Sequence, residues 1–157
     1  MGRLTPATSW RVTLAIDCGR LSLHYNQFFE VISVMSKFQP DGWHTVTPRI
    51  IVRDPESLIT FIKHVFHGQG EFRPGLPAEI RIGDSVVMIS DGGSLREPAL
   101  AYLYVYVEDT DSTYARAMAA NAVSIEAPAD MPYGDRRATV KDLWGNTWQI
   151  ATPKDAR

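Results

Sequence analysis

The clearest alternation of apolar and polar positions lies near the end of the chain. Arg137 to Lys141 and Thr147 to Thr152 alternate, and Asp142-Leu143-Trp144-Gly145-Asn146 joins them. The Gly and Asn of that join favour a tight turn, so the pattern predicts two adjacent strands in fixed register. Earlier, Val46 to Val52 reads as an apolar strand. Asp54-Pro55-Glu56 then has the makings of a helix start: an N-cap, a proline at the first position and an acid in the first turn. Leu58, Phe61, Ile62, Val65 and Phe66 fall on one helical face, which should end at Gly68. Phe72 to Leu76 is broken by Pro and Gly and stands where a second strand would come. Ala78 to Ile82 alternates, Gly83-Asp84 turns the chain, and Val86 to Ile89 is another strand.

The same order then recurs. Leu100 to Val107 predicts a strand, Asp109 caps a helix running to about Asn121, Val123 to Glu126 predicts a strand, and the terminal pair follows. The copies register at Asp54 and Asp109, an offset of 109 − 54 = 55, and at Gly83 and Gly145, an offset of 145 − 83 = 62. The seven extra residues fit a loop at Ala127 to Asp135. A repeat of this size predicts two related β-α-β-β-β modules, at about 45–91 and 100–152, within a domain of 43–157. Residues 1–42 differ in character. Trp10, Val12, Leu14 and Ile16 alternate as a strand would, Asp17 to Arg20 could turn it, and Phe28, Phe29, Val31, Ile32 and Met35 recur at helical spacing. This N-terminal segment reads as an appendage that packs on the domain or on a partner subunit.

Composition narrows the function classes. Hydrophobic content of 45%, charged content of 22%, a net charge of -2 and a pI near 6.1 describe an ordinary globular chain without the basic footprint of a nucleic-acid or membrane-surface binder. Cys18 is the only cysteine, which excludes an internal disulfide and a cysteine-based zinc cluster. It has no adjacent base to mark it as a nucleophile. No apolar run reaches the roughly 18 residues of a membrane span, and no secretory signal is visible, so a cytoplasmic location is the expectation.

Several local motifs point to a family. They are Trp43-His44-Thr45-Val46-Thr47-Pro48, Arg81 to Met88, Tyr106-Val107-Glu108-Asp109, and Gly134-Asp135-Arg136 through Gly145-Asn146-Thr147-Trp148. Together with the repeat, Trp43 to Thr152 resembles the vicinal oxygen chelate superfamily of glyoxalases, bleomycin-resistance proteins and extradiol dioxygenases, and within it the phosphonate-operon-type, glyoxalase-like branch. The resemblance implies an α+β fold in which two tandem βαβββ modules form a curved mixed sheet around a cavity. It also implies a homodimer. In metal-dependent relatives four strand positions hold one divalent ion. Registration places those positions at Thr47, Val87, Tyr102 and Gln149, a set without imidazole or carboxylate donors, and a register slip of one or two would bring up Arg49, Met88 or Tyr104, which is no better. The expectation is therefore a protein with no metal and no cofactor.

Strand sidedness indicates what stands in place of a metal site. Thr47 and Arg49 share a face with Ile51, opposite Pro48, Ile50 and Val52. Tyr102, Tyr104 and Tyr106 share theirs opposite Leu103, Val105 and Val107. Glu79 and Arg81 oppose Ala78, Ile80 and Ile82, while Arg137, Thr139, Thr147 and Gln149 oppose Val140, Trp148 and Ile150. The expected cavity lining is thus Thr47, Arg49, Glu79, Arg81, Tyr102, Tyr104, Tyr106, Arg137 and Gln149. Aromatic walls with a few fixed polar groups suit a small organic ligand, aromatic or, beside Glu79, cationic. The tyrosine row also suits a dimer interface, Glu79 and Arg81 a structural ion pair, and Asp135-Arg136-Arg137 a loop anchor. His44, His64 and His67 lack metal spacing with any carboxylate. The functional expectation is a binding protein. The alternative is a lyase, isomerase or dioxygenase-type enzyme with a divergent site, or acid–base chemistry by Glu79 and a tyrosine.

Overall fold

In the computed structural model, which describes residues 38–154, Asp54 accepts a hydrogen bond from the Ser57 amide at 3.1 Å and opens α1 (Pro55–Phe66). The apolar stripe of α1 is buried from Leu58 to Phe66. The helix ends one residue earlier than its glycine implies. His67 takes the left-handed conformation at φ 56°, and Gly68 is needed for room instead, because a Cβ there would lie 2.9 Å from the Ile62 side chain. Asp109 caps α2 (Thr110–Ala119) in the same way through the Ser112 amide at 2.8 Å.

The strands form two sheets. β1 (Arg49–Ile51), β2 (Ala78–Ile82) and β3 (Ser85–Ser90) are ordered β1-β3-β2, with β1 parallel to β3. β4 (Tyr102–Tyr106), β5 (Val123–Asp130), β6 (Asp135–Lys141) and β7 (Thr147–Pro153) are ordered β4-β7-β6-β5, with β4 parallel to β7. The second sheet comes from a full βαβββ module. The first lacks the strand expected at Phe72 to Leu76, where Pro and Gly break the chain and only Gln69 bridges to Arg81. The fold is α+β, built on this repeated plan.

Two further boundaries differ from expectation. β1 spans three residues instead of seven because Pro48 has no amide to donate, although its carbonyl accepts from Met88 N at 2.9 Å. The residues expected in a loop at Ala127 to Asp135 extend β5 to Asp130, with two register shifts against β6 that absorb them. The strand and helix expected between Trp10 and Met35 lie outside the described residues. No helix among the described residues is long and apolar enough to cross a membrane.

One apolar core serves both modules. Ile50, Leu58, Ile62, Ile80 and Ile89 from the first meet Val140, Trp148 and Ile150 from the second. Phe66 stacks on Trp148 at 4.9 Å, Phe61 meets Trp144 edge-on at 6.0 Å, and Arg116 of α2 donates to the Val65 carbonyl of α1. The core faces predicted from period two are the ones that pack inward, but Thr139, at 1% exposure, and Ile51, both of the opposite faces, are buried as well. Ile51 was expected on the open face and is buried, because residues around Gly92 and Ala99 fold over it: Ala99 exchanges two backbone bonds with Ile51.

Candidate ligand-binding site

The tyrosine row stands on the open face of the second sheet. Tyr102, Tyr104 and Tyr106 are 66%, 40% and 58% exposed, while Leu103 and Val105 turn toward the core. Register puts Tyr104 beside Gln149 and Thr139, and Tyr106 beside Ala151 and Arg137. Ala151 is small, so the two tyrosines can lean over β7 and reach β6. There the Tyr104 hydroxyl donates to Asp135 Oδ2 at 2.7 Å and the Tyr106 hydroxyl to the same oxygen at 3.3 Å. Asp135 itself is 1% exposed. The rings sit 5.2 Å apart, tilted by 55°.

A second group of contacts runs along β6 to β5. Arg137 donates from Nη2 to Glu126 at 2.8 Å and from Nη1 to the Tyr133 hydroxyl at 3.2 Å, and Thr139 donates to the same Glu126 oxygen. Arg137 Nε is buried and has no acceptor among the described residues. Arg136 points away, to Asp111 and Asp130, and anchors the α2 start against the β5–β6 end. The loop-anchor reading of Asp135-Arg136-Arg137 therefore fits Arg136 alone. Asp135 and Arg137 belong to the open face.

The expected lining residues fall into two groups. Tyr102, Tyr104, Tyr106, Arg137 and Gln149 share the face just described. Arg49 and Glu79 share a row of the first sheet, one on each side of Met88. Arg81 is committed to structure: its guanidinium donates to the carbonyls of Gly42 and Asp84 at 3.1–3.2 Å and ties the incoming chain to the β2–β3 turn. Thr47 precedes β1 and donates to the His44 carbonyl. Val87 needs correcting. It pairs with Ile80 and belongs to the core, so the residue that the first sheet presents at that level is Met88. Among the described residues no three His, Cys, Asp or Glu side chains come together as a metal set. The strand positions offer a hydroxyl, a thioether, a phenol and an amide, which do not fit a divalent catalytic ion.

Sequence reasoning missed Asp135 and Tyr133 as parts of the face, because both precede the alternating run and lie in the stretch Ala127 to Asp135 that spacing assigns to a loop. A notch of about 310 Å³ opens beside the tyrosines, between Val46, Pro48 and Val87 on one side and Leu103 to Tyr106 on the other. A larger cleft of about 620 Å³ lies where the end of α1 meets the start of α2, and it shares Ile82, Gly83 and Tyr106 with the notch. Both volumes are of the size that encloses small molecules.

Burial pushes the Tyr104 phenol well above its usual pKa, and the hydrogen bond to Asp135 adds to this. Tyr104 is a fixed hydroxyl donor and a poor acid–base group at neutral pH. The sign of the linkage follows: the folded state keeps the proton longer than the unfolded state. The stabilisation is complete below the ordinary tyrosine value of about 10 and is lost as pH rises above it. The stability difference between wild type and Tyr104→Phe is therefore expected to shrink from pH 9 to pH 11 in urea titrations. A constant difference across that range would show that the hydroxyl is not held in this way.

Residues 42–150 match the family model described as Glyoxalase/Bleomycin resistance protein/Dioxygenase superfamily. An uncharacterised protein of Mycobacterium tuberculosis (strain ATCC 25618 / H37Rv) is 29% identical over 125 residues, covering 69% of this chain and 74% of that protein. Two solved structures share the fold. TioX from Micromonospora sp. ML1 is 24% identical with a TM-score of 0.59, covering 69% of this chain and 97% of its own. TnmS3, an antibiotic binding protein from Streptomyces sp. CB03234, is 20% identical with a TM-score of 0.58, covering 70% and 95%.

Proposed function

Because the chain belongs to the Glyoxalase/Bleomycin resistance protein/Dioxygenase superfamily, we propose that it uses this fold to bind a small organic ligand against the tyrosine face of its second module, without a metal ion. The observation that carries the proposal is the tethering of Tyr104 and Tyr106 through their hydroxyls to one buried carboxylate. Tethered rings lose little further freedom when a ligand stacks on them, so contact area converts into affinity with a small ordering cost. A structural neighbour described as antibiotic binding supports the same reading.

The enzyme alternative draws less support from the same residues. Glu79 and the tyrosines belong to different sheets, and Tyr104 is held protonated. General acid–base work needs a group poised near the working pH and within reach of a partner. A divergent lyase, isomerase or dioxygenase site would have to be built from other residues.

Thermal-shift screening against aromatic natural products is expected to yield ligands whose stabilisation falls strongly in Tyr104→Ala and little in Glu79→Gln. Ligands insensitive to Tyr104→Ala would place the site elsewhere.

A further inference from the structure

We propose that Tyr104 and Tyr106, whose hydroxyls meet at the Asp135 carboxylate, form with the neighbouring Tyr133 a recognition site for an organic ammonium group. The inference rests on the reading of this face as the ligand wall and narrows the ligand to a cation.

Three features carry it. First, the hydroxyls of Tyr104 and Tyr106 turn inward to Asp135 Oδ2, so the face offers aromatic surfaces outward instead of hydroxyls. A phenol that donates to a carboxylate has a more electron-rich ring, and ring faces attract cations through their quadrupole. Second, the two rings meet at 55° with centroids 5.2 Å apart, an angled corner suited to a rounded head group more than to a flat one. Tyr133 adds a third ring: it is half exposed, its hydroxyl accepts from Arg137, and it lies within hydrogen-bonding reach of Tyr104.

Third, the local charges favour a cation. Around the corner stand the carboxylates of Glu126 and Asp135 and the guanidinium of Arg137, and Arg137 is ion-paired to Glu126 at 2.8 Å. Lys141 shares the face in the row next to that of Tyr104, in register with Thr147 and Tyr102. With Glu126 neutralised by Arg137, the charge directly beneath the rings is the Asp135 carboxylate, over which an ammonium group is favoured and an anion is not. Asp135 acts as a positioning residue: it fixes both hydroxyls and supplies charge beneath the rings.

Choline and its uncharged isostere 3,3-dimethylbutan-1-ol separate charge from shape. Titration of the full chain carrying isotope-labelled tyrosines, followed by NMR, is expected to show choline binding about tenfold more tightly than the alcohol, with the largest shifts at Tyr104, Tyr106 and Tyr133. Tyr106→Leu, at an exposed position that the core does not need, should weaken choline several-fold. Asp135→Asn should narrow the gap between the two probes. Equal affinity for both probes would overturn the cation preference while leaving the face as a ligand wall. Shifts at other residues, or no binding of either probe at millimolar concentration, would overturn the site itself, and the natural-product screen would still stand as a separate test of the binding function.

Discussion

Asp142→Ala is expected to lower the unfolding free energy by about 3–5 kcal/mol, among the largest losses available to a single side chain in this fold. Asp142 is buried in the β6–β7 turn and accepts four hydrogen bonds. Its Oδ1 takes the amides of Trp144 and Asn146 at 3.0 and 2.8 Å; its Oδ2 takes Asn146 Nδ2 at 2.8 Å and Trp148 Nε1 at 2.9 Å. Asn146, so held, accepts the Ala101 amide at 3.0 Å and thereby ties the start of β4 to the turn. Alanine would leave the donors of Asn146 and Trp148 buried without acceptors, each at a cost of roughly 1–3 kcal/mol. Because β4 carries the tyrosine row, ligand stabilisation should weaken along with folding. Urea unfolding monitored by tryptophan fluorescence measures the effect. A loss under about 1 kcal/mol would mean that the turn reorganises around the missing carboxylate.

Trp148→Ala is expected to cost a similar amount, about 3–5 kcal/mol, by a different route. The indole is fully buried, stacks on Phe66 of α1 and belongs to the core shared by both modules. Its removal opens a cavity where the first module rests on the second, so unfolding should lose cooperativity as well as midpoint. Trp148→Phe keeps a ring against Phe66 and leaves one acceptor of Asp142 unused, so its loss should be smaller. The double change Asp142→Ala with Trp148→Ala should cost less than the two single changes added together, because each removes the same Trp148–Asp142 bond. Strict additivity would contradict the contact. A single transition with an unchanged midpoint in Trp148→Ala would contradict the role of the indole as the join between modules.

The two changes explain why the opening pattern of the sequence was so informative about fold. The run from Asp135 to Pro153 has its register set by alternation, its turn by Gly145 at φ 97° and Asn146, and its core face by Val140, Trp148 and Ile150. All of these are local signals, so they survive in one dimension. The helix caps at Asp54 and Asp109 are local for the same reason: an N-cap acts on an amide three residues away. Where local signals conflicted, the chain-breaking one decided. Pro48 shortened β1, and Pro and Gly removed the strand expected near Phe72. Bulges in β5 absorbed residues that spacing alone assigned to a loop.

The site was less legible. Period two correctly put the tyrosines on an open face, but parity could not say which carboxylate they would meet. Glu79 was the acid expected among them, yet it sits on the first sheet, and Asp135, 31 residues from Tyr104 along the chain, takes that place. A one-residue step separated Val87 in the core from Met88 on the open face, because a strand reverses side at every residue. Arg81 shows a further limit. Its facing was predicted, but its use was not, since long side chains find carbonyls such as Gly42 and Asp84 that no pattern marks. By itself, then, the sequence determined the repeat, the caps, the turn and the buried faces, all products of interactions within a few residues. Only the tertiary structure decided which side chains converge, because β7 brings β4 and β6 together and Ala151 leaves room for the tyrosines to reach Asp135 across it.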